Sequence, residues 1–172
     1  MNAIPQFVTN FRVYNSGNAL LGVTGDVTMP NFEAMTEAIS GAGILGEFEA
    51  SIPGSFKSQN LEIPFRIVDT EMFKIAASSA MPSLTLRGDQ MITDYANGGI
   101  VHQGLRVESR GPVSGIDLGK LQPGKPTDGK LKQEILFIAI YIDEKEVLYL
   151  DKLNFIYRLN GVDMLAGILN NL

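Results

Sequence analysis

Two glycine-rich stretches and a few titratable side chains are the residues whose types and spacing could do chemistry. Gly41-Ala42-Gly43-Ile44-Leu45-Gly46 matches G-x-G-x-x-G, the spacing that lets a backbone approach a pyrophosphate resting on a helix N-terminus. Its context argues against that use. Such glycines follow a buried strand and open a helix, whereas here Phe48 and Ala50 alternate and Pro53-Gly54 follows, a pattern of strand and turn. Gly119-Lys120-Leu121-Gln122-Pro123-Gly124-Lys125-Pro126 approaches the P-loop motif. Pro126 replaces the hydroxyl that would hold magnesium, and Pro123 removes a cradling N–H. His102 is the only histidine, so no histidine pair can bind a metal, and an exposed strand position suits it. Asp89 with Asp94, or Asp143 with Glu144 and Glu146, lacks the spacing of a calcium loop, and Ser40, Ser55 and Ser109 lie outside any G-x-S-x-G elbow. No catalytic residue, cofactor or metal is expected. The enzyme reading rests on the glycine motifs alone and should fail a nucleotide-binding titration.

The elements that would carry these residues are mostly strands. Leu61, Ile63, Phe65 and Ile67 alternate with Glu62, Pro64, Arg66 and Val68, the pleat of a half-buried strand whose proline suits a sheet edge. Val101, Leu105 and Val107 oppose His102, Arg106 and Glu108 in a second strand. From Ile135 to Ile142 both parities are apolar, which predicts a strand covered on two faces. Asp143-Glu144-Lys145-Glu146 then turns, and Val147 to Leu159 returns as a second long strand of a β-hairpin. One short helix of about three turns is expected from Thr70, a hydroxyl N-cap, through Met72, Ile75, Ala76 and Ser79, ended by Pro82. Residues 31–58 carry helix formers at helical spacing (Phe32, Met35, Ile39) and then a run of glycines, and read as a long extension without assigned local structure. Gly111 to Lys130, with three prolines and five glycines, reads as a second long loop. Two such loops in one domain more often have a job than not.

The chain has 172 residues, 45% apolar and 19% charged, which predicts a single domain, 1–172, able to fold without a staple. It has no cysteine, and its 14 basic against 19 acidic residues leave a net charge of −5. That balance argues against a surface built on phosphate contacts. Residues 1–60 hold five acids (Asp26, Glu33, Glu37, Glu47, Glu49) against Arg12 and Lys57. No apolar run approaches the ~20 residues of a membrane span, and Met1 to Asn10 has no signal-peptide pattern. The product is expected to be cytosolic where it is made. Most Tyr and Phe fall at strand positions that look buried and there is no Trp, which counts against a carbohydrate-binding β-sandwich. An all-β domain with such long apolar strands must close its edges or have a neighbour cover them, and self-assembly is the economical reading.

The order of these features resembles a known family, the major tail tube proteins of contractile-tailed bacteriophages and of R-type pyocins. Asn10-Phe11-Arg12-Val13-Tyr14-Asn15-Ser16-Gly17, Gly22-Val23 and Val27-Thr28-Met29-Pro30 are similar to the family's first hairpin and its exit. Gly41-Ala42-Gly43-Ile44 stands for its "G-A-G-M". Asp143, Lys145 and Glu146 fall on its hairpin turn, Asp151 and Asn154 on its return strand, and Asn160-Gly161-Val162-Asp163 on its terminal "N-G-V-D".

The resemblance implies a mainly β fold, a β-barrel or sandwich with one short flanking α-helix and long loops. It implies six copies closing into a ring, with rings stacked into a hollow tube inside a contractile sheath. The partners would be the subunit itself, the tail sheath protein, the tape measure protein, and the baseplate, spike and tail terminator proteins. DNA would pass through the lumen without specific binding, and no membrane insertion is implied. The location would be the virion tail, assembled in the host bacterial cytoplasm. Subunit contacts are expected at Phe32, Met35, Ile39, Gly41, Gly43, Ile44, Leu45, Gly46 and Phe48 in the extension, and at Asn160, Gly161, Val162 and Asp163. The alternatives are a phage-derived bacteriocin tube or a secretion tube, and outside the structural class a small β-sandwich ligand-binding module.

Overall fold

Alternating apolar residues pull the chain into antiparallel ladders almost everywhere. The computed structural model describes residues 3–20, 23 and 25–172. Gly22 of the first hairpin motif lies outside them. The strands are β1 (Ala3–Asn15), β2 (Asn18–Ala19), β3 (Ala34–Ser40), β4 (Glu47–Phe56), β5 (Asn60–Phe65), β6 (Ser83–Asp94), β7 (Ile100–Arg110), β8 (Val113–Asp117), β9 (Gly129–Glu134), β10 (Phe137–Ile142), β11 (Lys145–Asp151), β12 (Ile156–Leu159) and β13 (Val162–Asp163). Two helices accompany them, α1 (Thr70–Ala76) and the single turn α2 (Ala166–Leu169). An eight-stranded sheet runs in the order β13-β12-β11-β10-β7-β6-β1-β2, a three-stranded sheet in the order β5-β9-β8, and β3 pairs with β4 alone.

The two larger sheets sandwich the core. Leu61, Ile63, Phe65 and Leu131 of the smaller sheet cluster with Val13, Leu84, Val107, Ile138 and Leu150 of the larger, and α1 adds Met72 and Ile75. The expected mainly β sandwich is therefore found, and among the described residues the eight-stranded sheet does not close into a barrel. Pro64 lies in β5, an edge strand, as its missing N–H requires.

Several expected elements differ. The stretch 31–58 contains the β3–β4 hairpin, and Gly41 to Gly46 form its tip. Helical spacing at Phe32, Met35 and Ile39 yields to cross-strand pairing, in which Ile39 meets Phe48. Gly111 to Lys130 is a hairpin too, because β8 pairs with β9 and only residues 118–128 loop out. The apolar run Ile135 to Ile142 is broken at Ile135-Leu136, where the chain passes from one sheet to the other. Val147 to Leu159 is two strands: the Asp151 carboxylate accepts from the amides of Leu153 (3.2 Å) and Asn154 (3.1 Å) and closes a turn between β11 and β12. Strand β5 stops at Phe65, leaving Ile67 exposed. Helix α1 has seven residues, and Asp69 rather than Thr70 is its N-cap. The aromatics are less buried than expected, with Phe7, Phe48 and Tyr95 exposed.

Three tight hairpins use left-handed residues at both central positions: Ser16-Gly17, Asp143-Glu144 and Asn160-Gly161. This is the turn whose twist matches the flanking strands. Asp143 and Glu144 adopt it at φ 48° and 60° without glycine. Neighbouring β7 holds them there, since the Gly104 amide donates to Asp143 Oδ1 (2.8 Å) and Arg106 to Glu144 (2.6 Å).

One polar side chain bridges the sandwich. Gln133 on β9 is fully buried; its Nε2 donates to the carbonyls of Pro82 (2.7 Å) and Gly111 (3.1 Å), and its Oε1 accepts from Ser109 Oγ (2.8 Å). Replacing Gln133 by leucine keeps the volume and takes the side-chain donor from two carbonyls, Pro82 and Gly111, each at ~1–3 kcal/mol, while the Ser109 hydroxyl keeps the Leu84 carbonyl (3.4 Å). We expect chemical denaturation to show a loss of at least about 2 kcal/mol, and an unchanged midpoint would mean that water satisfies those groups.

Candidate assembly surfaces

Among the described residues no three His, Cys, Asp or Glu side chains gather as a metal site, and no helix is long and apolar enough to cross a membrane. His102 sits exposed on β7, its Nδ1 2.7 Å from Asp89 Oδ2. The glycine motif at 41–46 turns between two strands rather than opening a helix. What the fold presents are surfaces.

The first is the β3–β4 hairpin. Its two faces differ because side chains alternate along each strand. Thr36, Ala38, Ser40, Glu47, Glu49 and Ser51 share one face, and Glu37, Ile39, Phe48 and Ala50 share the other. Met35, Ile39, Ile44 and Phe48 are exposed, and Leu45 at the tip is 106% exposed. Gly41, Gly43 and Gly46 have open space where a side chain would stand, and Gly43 and Gly46 have φ of 90° and 92°. The tip thus requires glycine for backbone direction, not for room.

The base of the hairpin is tied to the sandwich. Phe32 stacks edge to face on Phe56 (5.5 Å), and Phe56 on Tyr157 (5.2 Å). Lys57 bonds Glu33, and that hydrogen bond and charge raise the lysine's pKa. Burial raises the pKa of Tyr157. Between base and tip, Ile52 to Ser55 bulge out against Met35 alone, and Leu165 packs under Gly54, where a Cβ would stand 2.8 Å from Leu165 Cδ2. The second group of sequence-derived residues is linked to the hairpin through Leu165, a residue of neither group. Asn160-Gly161 is the turn between β12 and β13, Val162 is exposed, and Asp163 Oδ1 accepts from the Leu165 amide (2.9 Å).

The second surface escaped sequence reasoning. Strands β1, β6 and β7 pair along their whole length, but β10 covers only Leu105 to Arg110 of β7, and β2 only the last two residues of β1. A three-stranded ribbon therefore extends past the sandwich, with Ile4, Phe7, Val8, Ile100 and Val101 exposed. Two register shifts in β1, between Pro5 and Phe7 and between Val8 and Asn10, blur its alternation, which is why period two did not reveal it.

A β framework that extends an apolar hairpin and an open strand margin past its own core has the form of a structural protein. The chain belongs to the phage tail tube protein FII family, which it matches over residues 5–172. It is 24% identical over 164 residues to the tail tube protein of Escherichia phage P2, covering 95% of this chain and 94% of that one. It is 25% identical over 164 residues to the major tail tube protein of Serratia phage KSP20, covering 94% and 92%.

Proposed function

We propose that this tail tube protein forms the inner tube of a contractile tail: six copies close into a ring, and rings stack into a hollow conduit for DNA inside the sheath. The tube is also the rod driven through the target envelope. One observation carries the assembly reading. Two apolar surfaces, the hairpin tip and the β1–β6–β7 ribbon, stand outside the core of the single chain, and unpaired strand margins of this kind seek a partner. The partners are further copies, the sheath protein on the outside, the tape measure protein in the lumen, and the baseplate, spike and terminator proteins at the ends. The acidic chain suits DNA that must slide without sticking. The subunit is made in the host cytoplasm and resides in the virion tail, and its work is mechanical.

Purified protein should form rings or tubes visible by negative stain. Light scattering that shows only an 18.7 kDa species across the accessible concentration range would sink this reading.

A further inference from the structure

Three arginines stand in one cross-strand row on the face of the eight-stranded sheet that points away from the core: Arg12 lies opposite Arg87, and Arg87 opposite Arg106. Arg106 is neutralised within the chain by Glu108 and by Glu144 (2.6 Å). Arg12 and Arg87 are exposed, and among the described residues no carboxylate reaches either within ion-pair distance. Like charges directly opposite on two strands repel, so this pair is a cost to the single chain that an anion would relieve.

The chain's own hairpin supplies suitable anions. Glu47 and Glu49 share its polar face, exposed and without an ion-pair partner among the described residues. The opposite face is apolar at Ile39 and Phe48. The sheet near Arg12 is two-sided in the matching sense. On the face opposite the arginines, Val8 and Phe11 border an open groove of about 540 Å³ shared with Val27, Met29, Leu86 and Leu105. The margin of β1 between these faces makes no strand pairing from Ala3 to Arg12 on the side away from β6, among the described residues, and at Val13 the Leu20 amide already donates to the backbone carbonyl (2.8 Å).

We propose that the β3–β4 hairpin of a second copy adds to the margin of β1 near Asn10 to Arg12. Glu47 and Glu49 then lie on the Arg12–Arg87 pair, and Ile39 and Phe48 cover the groove. The proposal rests on the tube-subunit reading and says which surfaces of two copies meet. Both partners alternate with period two, so a strand placed with its acids beside the arginines has its apolar side continuous with the groove; a one-residue slip would invert both. The bulges upstream bend the margin, and the addition is confined to the regular stretch beyond them. The Phe11 amide, which donates to Asn10 Oδ1 (2.8 Å), would exchange that bond for a carbonyl of the incoming strand. Nucleic acid is the poorer partner, because two guanidiniums on a chain of net charge −5 fall short of the ~6–10 phosphate contacts of a strong polyanion site.

Charge reversal tests it. Arg12→Glu with Arg87→Glu, and separately Glu47→Arg with Glu49→Arg, should each leave the far-ultraviolet spectrum and melt unchanged, since all four residues are exposed. Each double variant alone should raise the critical concentration for assembly at least about tenfold. Mixed in equal amounts, they should assemble near the wild-type concentration, because every junction is then between opposite charges. Assembly of either variant alone at the wild-type concentration overturns the pairing, as does a mixture that fails while wild type assembles. Normal assembly of the arginine variant with weakened retention of single-stranded 20-mer DNA would reassign the arginines to nucleic acid. A wild-type protein that never assembles would instead remove the tube reading itself.

Discussion

Replacing Ile138 by aspartate should leave a protein that does not fold at ambient temperature. Ile138 is fully buried at the centre of the sandwich, in a strand flanked by β7 and β11. The substitution removes an apolar side chain, at ~2–5 kcal/mol, and puts a carboxyl where nothing bonds it, costing several kcal/mol more whether it stays charged or takes up a proton. The sum exhausts the ~5–15 kcal/mol that stabilise an ordinary domain. Its neighbour on the same face, Ile140, is only half-buried, so Ile140→Asp should be milder. Glu144→Gln in the adjoining turn weakens one exposed contact to Arg106 and should cost less than about 1 kcal/mol. Circular dichroism melts of the three variants supply the test. Similar midpoints for Ile138→Asp and Glu144→Gln would contradict the placement of β10 in the core.

Replacing Ile39 and Phe48 together by serine should raise the critical concentration for assembly about a hundredfold while leaving the subunit folded. Both are exposed in the single chain, at 39% and 52%, so neither supports the core and the melt should move by less than about 1 kcal/mol. Covering the remaining exposed apolar area at ~25 cal/mol per Å² is worth roughly 3 kcal/mol per copy, or about a hundredfold in critical concentration. Hydrogen exchange adds an independent readout. A lone two-stranded ladder is marginal in water, so amides of 36–40 and 47–51 should exchange fast in the monomer and slowly in the tube. Equal protection in both states, or tubes from the double variant at the wild-type concentration, would remove the hairpin from the interface.

What could be read in advance depended on how many partners a segment needs. The alternation of Leu61, Ile63 and Phe65, and the turn at Asp143-Glu144, are local patterns, and both stand in the fold. The β3–β4 hairpin was missed because its strands carry glutamate and serine on one side and rest on little of the core, so burial gave weak period-two contrast while Phe32, Met35 and Ile39 mimicked a helix. Asn160-Gly161 falls in a family motif, and Asn-Gly between apolar neighbours is also a hairpin signal on physical grounds. The break in Val147 to Leu159 turns on Asp151 capping two amides, an Asx turn visible as Asp-x-x-Asn only once the strand is known to end. The Arg12–Arg87–Arg106 row is a property of register across three strands far apart in the chain. No single segment contains it.

The hairpin tip and the open margin of β1 are unlike surfaces of one chain, so the proposed meeting of the two is head to tail, not a two-fold self-contact. Placed between stacked rings rather than around one ring, such a joint gives the tube polarity: one terminus shows unoccupied tips and the other unoccupied margins. Growth at the two termini is therefore chemically distinct. A copy with an intact margin and a missing tip can still receive a neighbour but cannot dock on one, and so it can only begin a filament. A copy with the opposite defect can only finish one. Length control and capping thus need recognise just one of two different ends, and a single subunit species suffices to tell a tube which way it points.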